Sequence, residues 1–113
     1  MTFQEQNQMY LPDIFKHFLE THGEIAEAYQ KAGTLCSQAG PIDEKHQHLI
    51  QLGVAVGVGS RGGVKSHARR AKDLGASDQE IFQAVLLAAP IVGFPSMMAS
   101  YGWVRESLTP KKD

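Results

Sequence analysis

The sequence predicts an all-α fold, a single domain of five or six helices. Apolar residues recur at intervals of three and four, the spacing of an amphipathic helix. The breaks between apolar stretches are short and rich in glycine and proline. One break carries a capping box, Ser77-Asp78-Gln79-Glu80, which is a complete helix-start signal. We expect this domain to span residues 13–108, between a flexible N-terminal arm of residues 1–12 and a frayed tail of residues 109–113.

The first two predicted helices precede the break at Gly40-Pro41. Asp13 can cap the first helix, which ends near Gly23, and the second helix spans residues 24–38. Their apolar faces consist of Ile14, Phe15, Phe18 and Leu19 in the first, and Ile25, Tyr29, Ala32 and Cys36 in the second. We interpret Cys36 as a buried small hydrophobic residue. As the single cysteine, it excludes an internal disulfide and a CxxC pair, and it fits a reducing compartment.

The third predicted segment runs from Asp43 to Val58, and a fourth helix runs from Gly63 to Leu74. The first half of the third segment is polar. Its second half, residues 49–58, is almost entirely apolar and rich in valine and glycine, so a strand competes with a helix there. Gly75 follows the fourth helix and is a good residue to end it.

The fifth predicted helix follows the capping box and continues to Ala89. It is apolar on nearly every side, so it must be buried all round. In a chain this short, a neighbouring subunit is the expected second cover, which predicts a homo-oligomer. Pro90 kinks or ends this helix. A last helix is expected from Ser96 to Leu108.

Composition and charge exclude several classes of function. The 113 residues are enough for one ordinary domain. The sequence has eleven Lys and Arg and twelve Asp and Glu, which gives a net charge near -1. A chain with this balance lacks the positive charge expected of a nucleic-acid-binding protein or of a polybasic membrane anchor. The N-terminus lacks the pattern of a signal peptide, and no apolar stretch approaches the roughly 20 residues of a membrane span. We therefore expect a soluble, cytoplasmic protein with no nucleic-acid or membrane partner.

The stretch Gly57-Val58-Gly59-Ser60-Arg61-Gly62 matches the GxGxxG dinucleotide fingerprint. That fingerprint requires a strand before the glycines and a second strand to complete a βαβ unit. The rest of the chain offers no second strand. We therefore interpret the motif as a glycine-rich bend between two helices.

His67 is the first candidate for chemistry. On a helix it shares a face with Val64, Ala68 and Ala71, so it lies on the apolar stripe. A partly buried histidine has a lowered pKa and can serve as a neutral base near pH 7. The alternative is a structural histidine whose nitrogens are bonded to backbone carbonyls.

Arg61 and Arg70 are candidates for binding an anion. Ser60 and the neighbouring glycines can also bind an anion at the start of the helix.

Metal binding is not expected. His46 and His48 are two residues apart and point about 200° away from each other on a helix. They therefore do not chelate one ion together, and a metal site needs three or four converging ligands.

The stretch from Asp43 to Trp103 resembles the carboxymuconolactone decarboxylase family, which includes the AhpD-like alkylhydroperoxidases. The residues that carry the resemblance are Lys45-His46-Gln47-His48-Leu49-Ile50, Ser66-His67-Ala68-Arg69-Arg70-Ala71, Gly75-Ala76-Ser77 with Glu80-Ile81, Leu86-Leu87-Ala88-Ala89-Pro90 and Gly93-Phe94-Pro95. The resemblance implies an all-α fold assembled as a homotrimer or homohexamer, with sites near the contacts between subunits.

The redox branch of that family carries CxxCxxxH, with a glutamate twelve residues before the first cysteine. The matching positions here are Ser60, Gly63 and His67, with His48 in place of the glutamate. A peroxide-reducing cycle needs one thiolate to attack and a second thiol to resolve the product. Activity of the peroxiredoxin type is therefore disfavoured, and the chain looks closer to the decarboxylase branch, which also lacks the cysteine pair.

The resemblance implies cofactor-free acid–base chemistry on a small carboxylated lactone or a related acid. In this hypothesis His67 is the acid–base group, His48 completes a relay and Ser60 donates a hydrogen bond. Arg61 or Arg70 holds the substrate carboxylate. The alternatives are a non-catalytic binding or scaffold member of the family, in which His67 is structural, and an unusual oxidoreductase that uses Cys36 or a recruited cofactor.

Overall fold

The structure is a computed structural model, and it describes residues 13–109. Within this range the regular elements are all helices: α1 (Asp13–Thr21), α2 (Gly23–Ser37), α3 (Glu44–Val58), α4 (Arg61–Asp73), α5 (Asp78–Leu86), α6 (Ala89–Val92) and α7 (Phe94–Leu108). Six of these have nine or more residues, and α6 is a single turn, which confirms the predicted all-α class. The predicted arm, residues 1–12, and residues 110–113 of the predicted tail lie outside the described residues. No helix of the described part combines the length and the apolar character needed to cross a membrane.

The chain divides into two compact units, of which the first ends at Ile42. The described part of this unit contains α1 and α2, and Ala26 is its buried residue. Two helices alone enclose too little volume to cover their apolar faces. Cys36 accordingly lies exposed on α2, and its interpretation as a buried side chain is wrong.

The second unit begins at Asp43 and contains α3 to α7. Its core is formed by side chains from α3, α4, α5 and α7, the largest of them being Leu52, Val56, Val64, Ile81, Val85 and Val104. Segment 49–58, for which strand was an alternative, is helical. Ala68 and Ala71 are fully buried small residues of α4, and small side chains let the neighbouring helices approach closely.

The glycine-rich motif forms the turn between α3 and α4. Gly59 ends α3 in the left-handed conformation, with φ of 70°, which suits glycine. Ser60 follows as the N-cap of α4, and its Oγ accepts a hydrogen bond from the amide of Gly63 at 3.0 Å. The motif is thus a bend between helices, as expected. The cap starts α4 at Arg61, two residues earlier than predicted.

The capping box at the start of α5 is formed as predicted: Ser77 Oγ accepts from the Glu80 amide, and Glu80 Oε1 accepts from the Ser77 amide. However, α5 ends at Leu86 rather than at Ala89. Pro90 lies in the first turn of α6, where its missing amide costs no helical hydrogen bond. Pro95 has the same position in α7, and that helix begins at Phe94, two residues earlier than predicted.

Candidate active site

A pair of histidines joins α3 to α4. The Nδ1 atoms of His48 and His67 lie 3.0 Å apart, and their ring centroids lie 5.3 Å apart. Both side chains are half-buried. His67 lies on the same face of α4 as the buried residues Val64, Ala68 and Ala71, as the sequence predicted. The hydrogen-bond partner of its Nδ1 atom is a side chain rather than a backbone carbonyl.

Burial and charge keep this histidine pair neutral at pH 7. Burial lowers the pKa of His67 to about 4, and the charges of His48 and Arg70 contribute to the shift. Burial also lowers the pKa of His48; Arg70 adds to this effect and Glu44 opposes it. Between two neutral imidazoles, one Nδ1–H donates to the other Nδ1. Each ring then keeps its Nε2 atom for a further partner.

Arg70 lies three residues after His67, on the same side of α4. Its side chain is half-buried, and burial lowers the pKa of the guanidinium, which remains charged at pH 7. Within residues 13–109 the guanidinium has no ion-pair or hydrogen-bond partner. A partly buried cation without a counter-ion favours an anion beside it. The arrangement of two neutral imidazoles and a free guanidinium can therefore bind a carboxylate and exchange protons with it.

Arg61 has a different environment. It is exposed, and its guanidinium lies 3.3 Å from Glu106 Oε2, while Lys65 Nζ lies 2.7 Å from the same oxygen. Glu106 thereby links α7 to the first turns of α4. Arg61 and Arg70 are nine residues apart, roughly 13 Å along the helix axis. The structure therefore brings Arg70, but not Arg61, into the neighbourhood of His67.

Ser60 lies seven residues before His67, roughly 10 Å along α4. Its oxygen already serves as the cap acceptor for Gly63. The hydroxyl proton remains able to donate. The proposed donation to a substrate stays a prediction.

An open groove of about 560 Å³ lies on a different side of α3 from the histidine pair. Its lining is mostly apolar, and consists of His46, Leu49, Ile50, Gly53, Val54, Glu80, Gln83, Ala84, Leu87, Ala88, Ile91 and Val92. The groove is not predicted from the sequence, because the apolar half of α3 indicates only a strand or a helix and not which neighbour it faces. The spacing of four between the lining residues Ile50 and Val54 was the available signal.

His46 lies at this groove, and its Nδ1 atom is 2.5 Å from Asp43 Oδ1. This hydrogen bond holds the pKa of Asp43 below its usual value. His46 and His48 thus diverge on α3, as their spacing predicted. In the described range, no three histidine, cysteine or acidic side chains converge in the manner of a metal site.

Comparison with known proteins gives one match. No curated protein and no solved structure matches the chain. The model of the carboxymuconolactone decarboxylase family matches residues 23–106, which is more than half of the chain and includes His48, His67 and Arg70. The all-helical fold agrees with the expectation derived from the sequence motifs. The chain belongs to the carboxymuconolactone decarboxylase family.

Proposed function

We propose that the protein is a cofactor-free acid–base enzyme that removes the carboxyl group of a small carboxylated lactone or a related acid. The observation that carries this proposal is the Arg70 guanidinium, which lacks an ion-pair partner among residues 13–109, beside the neutral His48–His67 pair. Arginine binds a carboxylate through two parallel hydrogen bonds. Arg70 therefore holds the substrate, and His67 supplies a proton.

Loss of carbon dioxide leaves the bonding electron pair on the lactone as an enolate, and this carbanion equivalent must be protonated. His67 donates the proton from Nε2. Its Nδ1 atom takes the Nδ1 proton of His48 across the 3.0 Å contact, and His48 Nε2 takes a proton from water. Both imidazoles change tautomer and neither becomes charged. The balance is carboxylate plus water giving the protonated lactone plus bicarbonate.

The lowered pKa values suit this relay. A histidine that became an imidazolium at pH 7 would lose the lone pair that accepts the incoming proton. Because burial and Arg70 disfavour the charged form, both rings keep one donor and one acceptor. The same guanidinium thus binds the substrate and keeps the relay neutral.

Peroxidase chemistry of the CxxC type has little support at this site. Ser60 and Gly63 occupy the positions of the two cysteines, and Cys36 belongs to α2 in the other compact unit. A hydroxyl and a hydrogen atom cannot form the disulfide that completes a peroxide-reducing cycle.

The test is turnover of γ-carboxylated butenolides by the full chain, measured as bicarbonate release and as deuterium uptake in D₂O. We expect His67→Asn to lower kcat by at least about 100-fold, the usual contribution of general acid–base catalysis. Arg70→Gln should raise KM, and Arg69→Gln is the matched control because Arg69 is exposed on the same helix. Equal kinetics for the Arg70 and Arg69 variants would contradict the proposed binding role.

A non-catalytic binding role is the alternative, and the same variants separate the two functions. Calorimetric titration with small carboxylates measures binding without turnover. If the wild-type chain binds a carboxylated lactone and Arg70→Gln abolishes binding, but no bicarbonate is released, the site is a binding site only. If neither binding nor turnover depends on Arg70, both functions are excluded for this cluster.

A further inference from the structure

We propose that the apolar groove between α3 and α5 binds a small primary alkylamine, with the ammonium group at the end formed by His46, Glu80 and Gln83. This inference is independent of the proposed decarboxylation, because the groove lies on a different side of α3 from the histidine pair. The groove measures about 560 Å³. Its size, and its mostly apolar lining with a few polar groups, are those of a small-molecule site.

The groove has one polar end and one apolar end, because α3 and α5 start side by side. Lys45 in the first turn of α3 pairs with Glu80 in the first turn of α5, at 3.3 Å. The three polar residues of the lining, His46, Glu80 and Gln83, all belong to the first two turns of these helices. The rest of the lining consists of apolar residues and one glycine. This gradient suits a molecule with a polar head and an apolar chain.

The apolar end leaves both side chains and space for the chain of such a molecule. Val54 is 61% exposed, Leu87 65% and Ile91 86%, and all three line the groove. Between the two ends, a Cβ atom built on Gly53 would meet nothing nearer than the Ala84 carbonyl oxygen, at 3.9 Å. From His46 to Val54 the groove follows α3 for roughly 12 Å. An extended chain of about ten carbon atoms has a similar length, and it would remove these side chains from water.

The polar end offers hydrogen-bond acceptors. His46 Nδ1 lies 2.5 Å from Asp43 Oδ1, and an ionised carboxylate only accepts, so Nδ1 carries the proton. The Nε2 atom of the neutral ring is then an acceptor. The Glu80 carboxylate has about four lone-pair sites, and the hydrogen bonds from Ser77 and Lys45 leave some of them unused. With the amide oxygen of Gln83, these groups match an ammonium, which has three donors and no acceptor.

The charge at the polar end is also suited to a cation. Asp43 and Glu80 each contribute a negative charge, against the single positive charge of Lys45. The hydrogen bond with His46 keeps the pKa of Asp43 below its usual value, and bonds from the Ser77 amide and Lys45 do the same for the pKa of Glu80. Both carboxylates are therefore ionised at pH 7. A primary amine is protonated at this pH and is attracted, whereas a carboxylic acid is ionised and repelled.

The experiment is calorimetric titration of the full chain at pH 7 with n-decylammonium chloride, kept below its micelle concentration. Sodium decanoate and n-butylammonium chloride are the comparison ligands. We expect decylammonium to bind once per chain. Decanoate has the opposite charge, and butylammonium lacks most of the apolar chain. Each should therefore bind at least about tenfold more weakly.

Glu80→Gln tests the contact with the ammonium group, because glutamine in this position preserves the capping box. We expect it to weaken the binding of decylammonium about tenfold, the factor that a hydrogen bond to a charged group contributes. Asp78→Asn is the matched control. It also removes a carboxylate from the first turn of α5 and releases a lysine, Lys72, but Asp78 does not line the groove. It should leave the binding unchanged.

Val54→Asn tests the apolar end, and it keeps the inference testable even if Glu80→Gln fails to fold. It should weaken the binding of decylammonium at least about fivefold. Val58→Asn makes the same substitution one turn further along α3, at a residue that is 74% exposed but does not line the groove, and should have no effect.

Three results would overturn the inference. The first is a wild-type chain that does not bind decylammonium, as expected if a second copy of the chain covers the groove. The second is decanoate that binds as tightly as decylammonium. The third is an equal effect of the two substitutions within either matched pair, which would show that the amine binds elsewhere.

Discussion

The Nδ1 atoms of His48 and His67 lie 3.0 Å apart, across the contact between α3 and α4. One proton between the two rings satisfies both Nδ1 atoms, whereas a proton on each Nδ1 atom would set two N–H donors against each other. The contact is therefore stable only while one of the two Nδ1 atoms is unprotonated. Arg70 adds a fixed positive charge beside it, which strengthens this preference.

The first prediction concerns stability and pH. Because the pKa of His67 is about 4 in the folded chain against 6.5 for a free histidine, the unfolded chain binds more protons between these values. The contribution of the neutral His67 ring to the free energy of unfolding is present above pH 6.5 and is lost as the pH falls through about 4. Allowing for solvent screening at the half-exposed ring, we expect a loss of about 1–2 kcal/mol. Urea unfolding at pH 7 and pH 4.5 measures it.

The matched variants for this measurement are His67→Asn and His17→Asn. The first removes the titrating ring, so its unfolding free energy should change less between the two pH values. His17 is exposed on α1 and its replacement should leave the wild-type pH dependence intact. An equal pH dependence in all three chains would show that the histidine pair is not the titrating element.

A second prediction concerns Ser60 and Gly63, the positions that the family resemblance matches to the CxxC pair of the redox branch. A Cβ atom built on Gly63 would lie 3.3 Å from Ser60 Cβ, close to the spacing of a disulfide. It would also lie 3.2 Å from Ala55 Cβ, so a small shift of α4 must accompany it. We expect Ser60→Cys with Gly63→Cys to oxidise within one chain, leaving only Cys36 to react with Ellman's reagent.

The control for this experiment is Ser60→Cys with Gly62→Cys. A Cβ on Gly62 has no Ser60 atom within 4 Å, so we expect this pair to close a disulfide within the chain less readily than the Gly63 pair. Three reactive thiols in the Gly63 variant after oxidation would show that the turn does not permit the CxxC geometry.

A third prediction concerns Ser100 in the core of the second unit. The residue is 1% exposed, and its hydroxyl oxygen has no hydrogen-bond partner among residues 13–109. Ser100→Ala removes the cost of burying an unsatisfied hydroxyl and should stabilise the chain by about 1 kcal/mol. Ser107 is the contrasting position on the same helix, since its hydroxyl donates to the Lys65 carbonyl at 3.0 Å.

Thermal unfolding of the two alanine variants gives the comparison. Ser107→Ala should lower the free energy of unfolding by about 1 kcal/mol, the net contribution of one hydrogen bond to stability. If Ser100→Ala also lowered the stability, the Ser100 hydroxyl would have to form a hydrogen bond in solution, which would contradict this prediction.

Local signals predicted most of the fold. The capping box placed the start of α5 correctly, and apolar spacing placed the core face of α4, because both depend on residues within one or two turns. The boundaries at Arg61, Leu86 and Phe94 were missed by two or three residues. They depend on cap hydrogen bonds and on proline in a first turn, which the apolar pattern alone does not reveal.

The site was predictable only in part. The family motifs singled out His48 and His67, but their direct contact requires knowing how α3 packs on α4. The choice between Arg61 and Arg70 could not be made from the sequence, because Glu106, which pairs with Arg61, is 45 residues away. The exposure of Cys36 likewise depends on how little of α2 its own unit can cover.

The most direct measurement is the imidazole ¹⁵N–¹H spectrum of uniformly labelled protein at pH 7. The expected result is a neutral His67 with Nε2 protonated, and a downfield proton shared between the two Nδ1 atoms that disappears in His48→Asn. On titration His67 should protonate near pH 4. A His67 that is charged at pH 7, or whose Nδ1 signal is unchanged in His48→Asn, would contradict the proton relay.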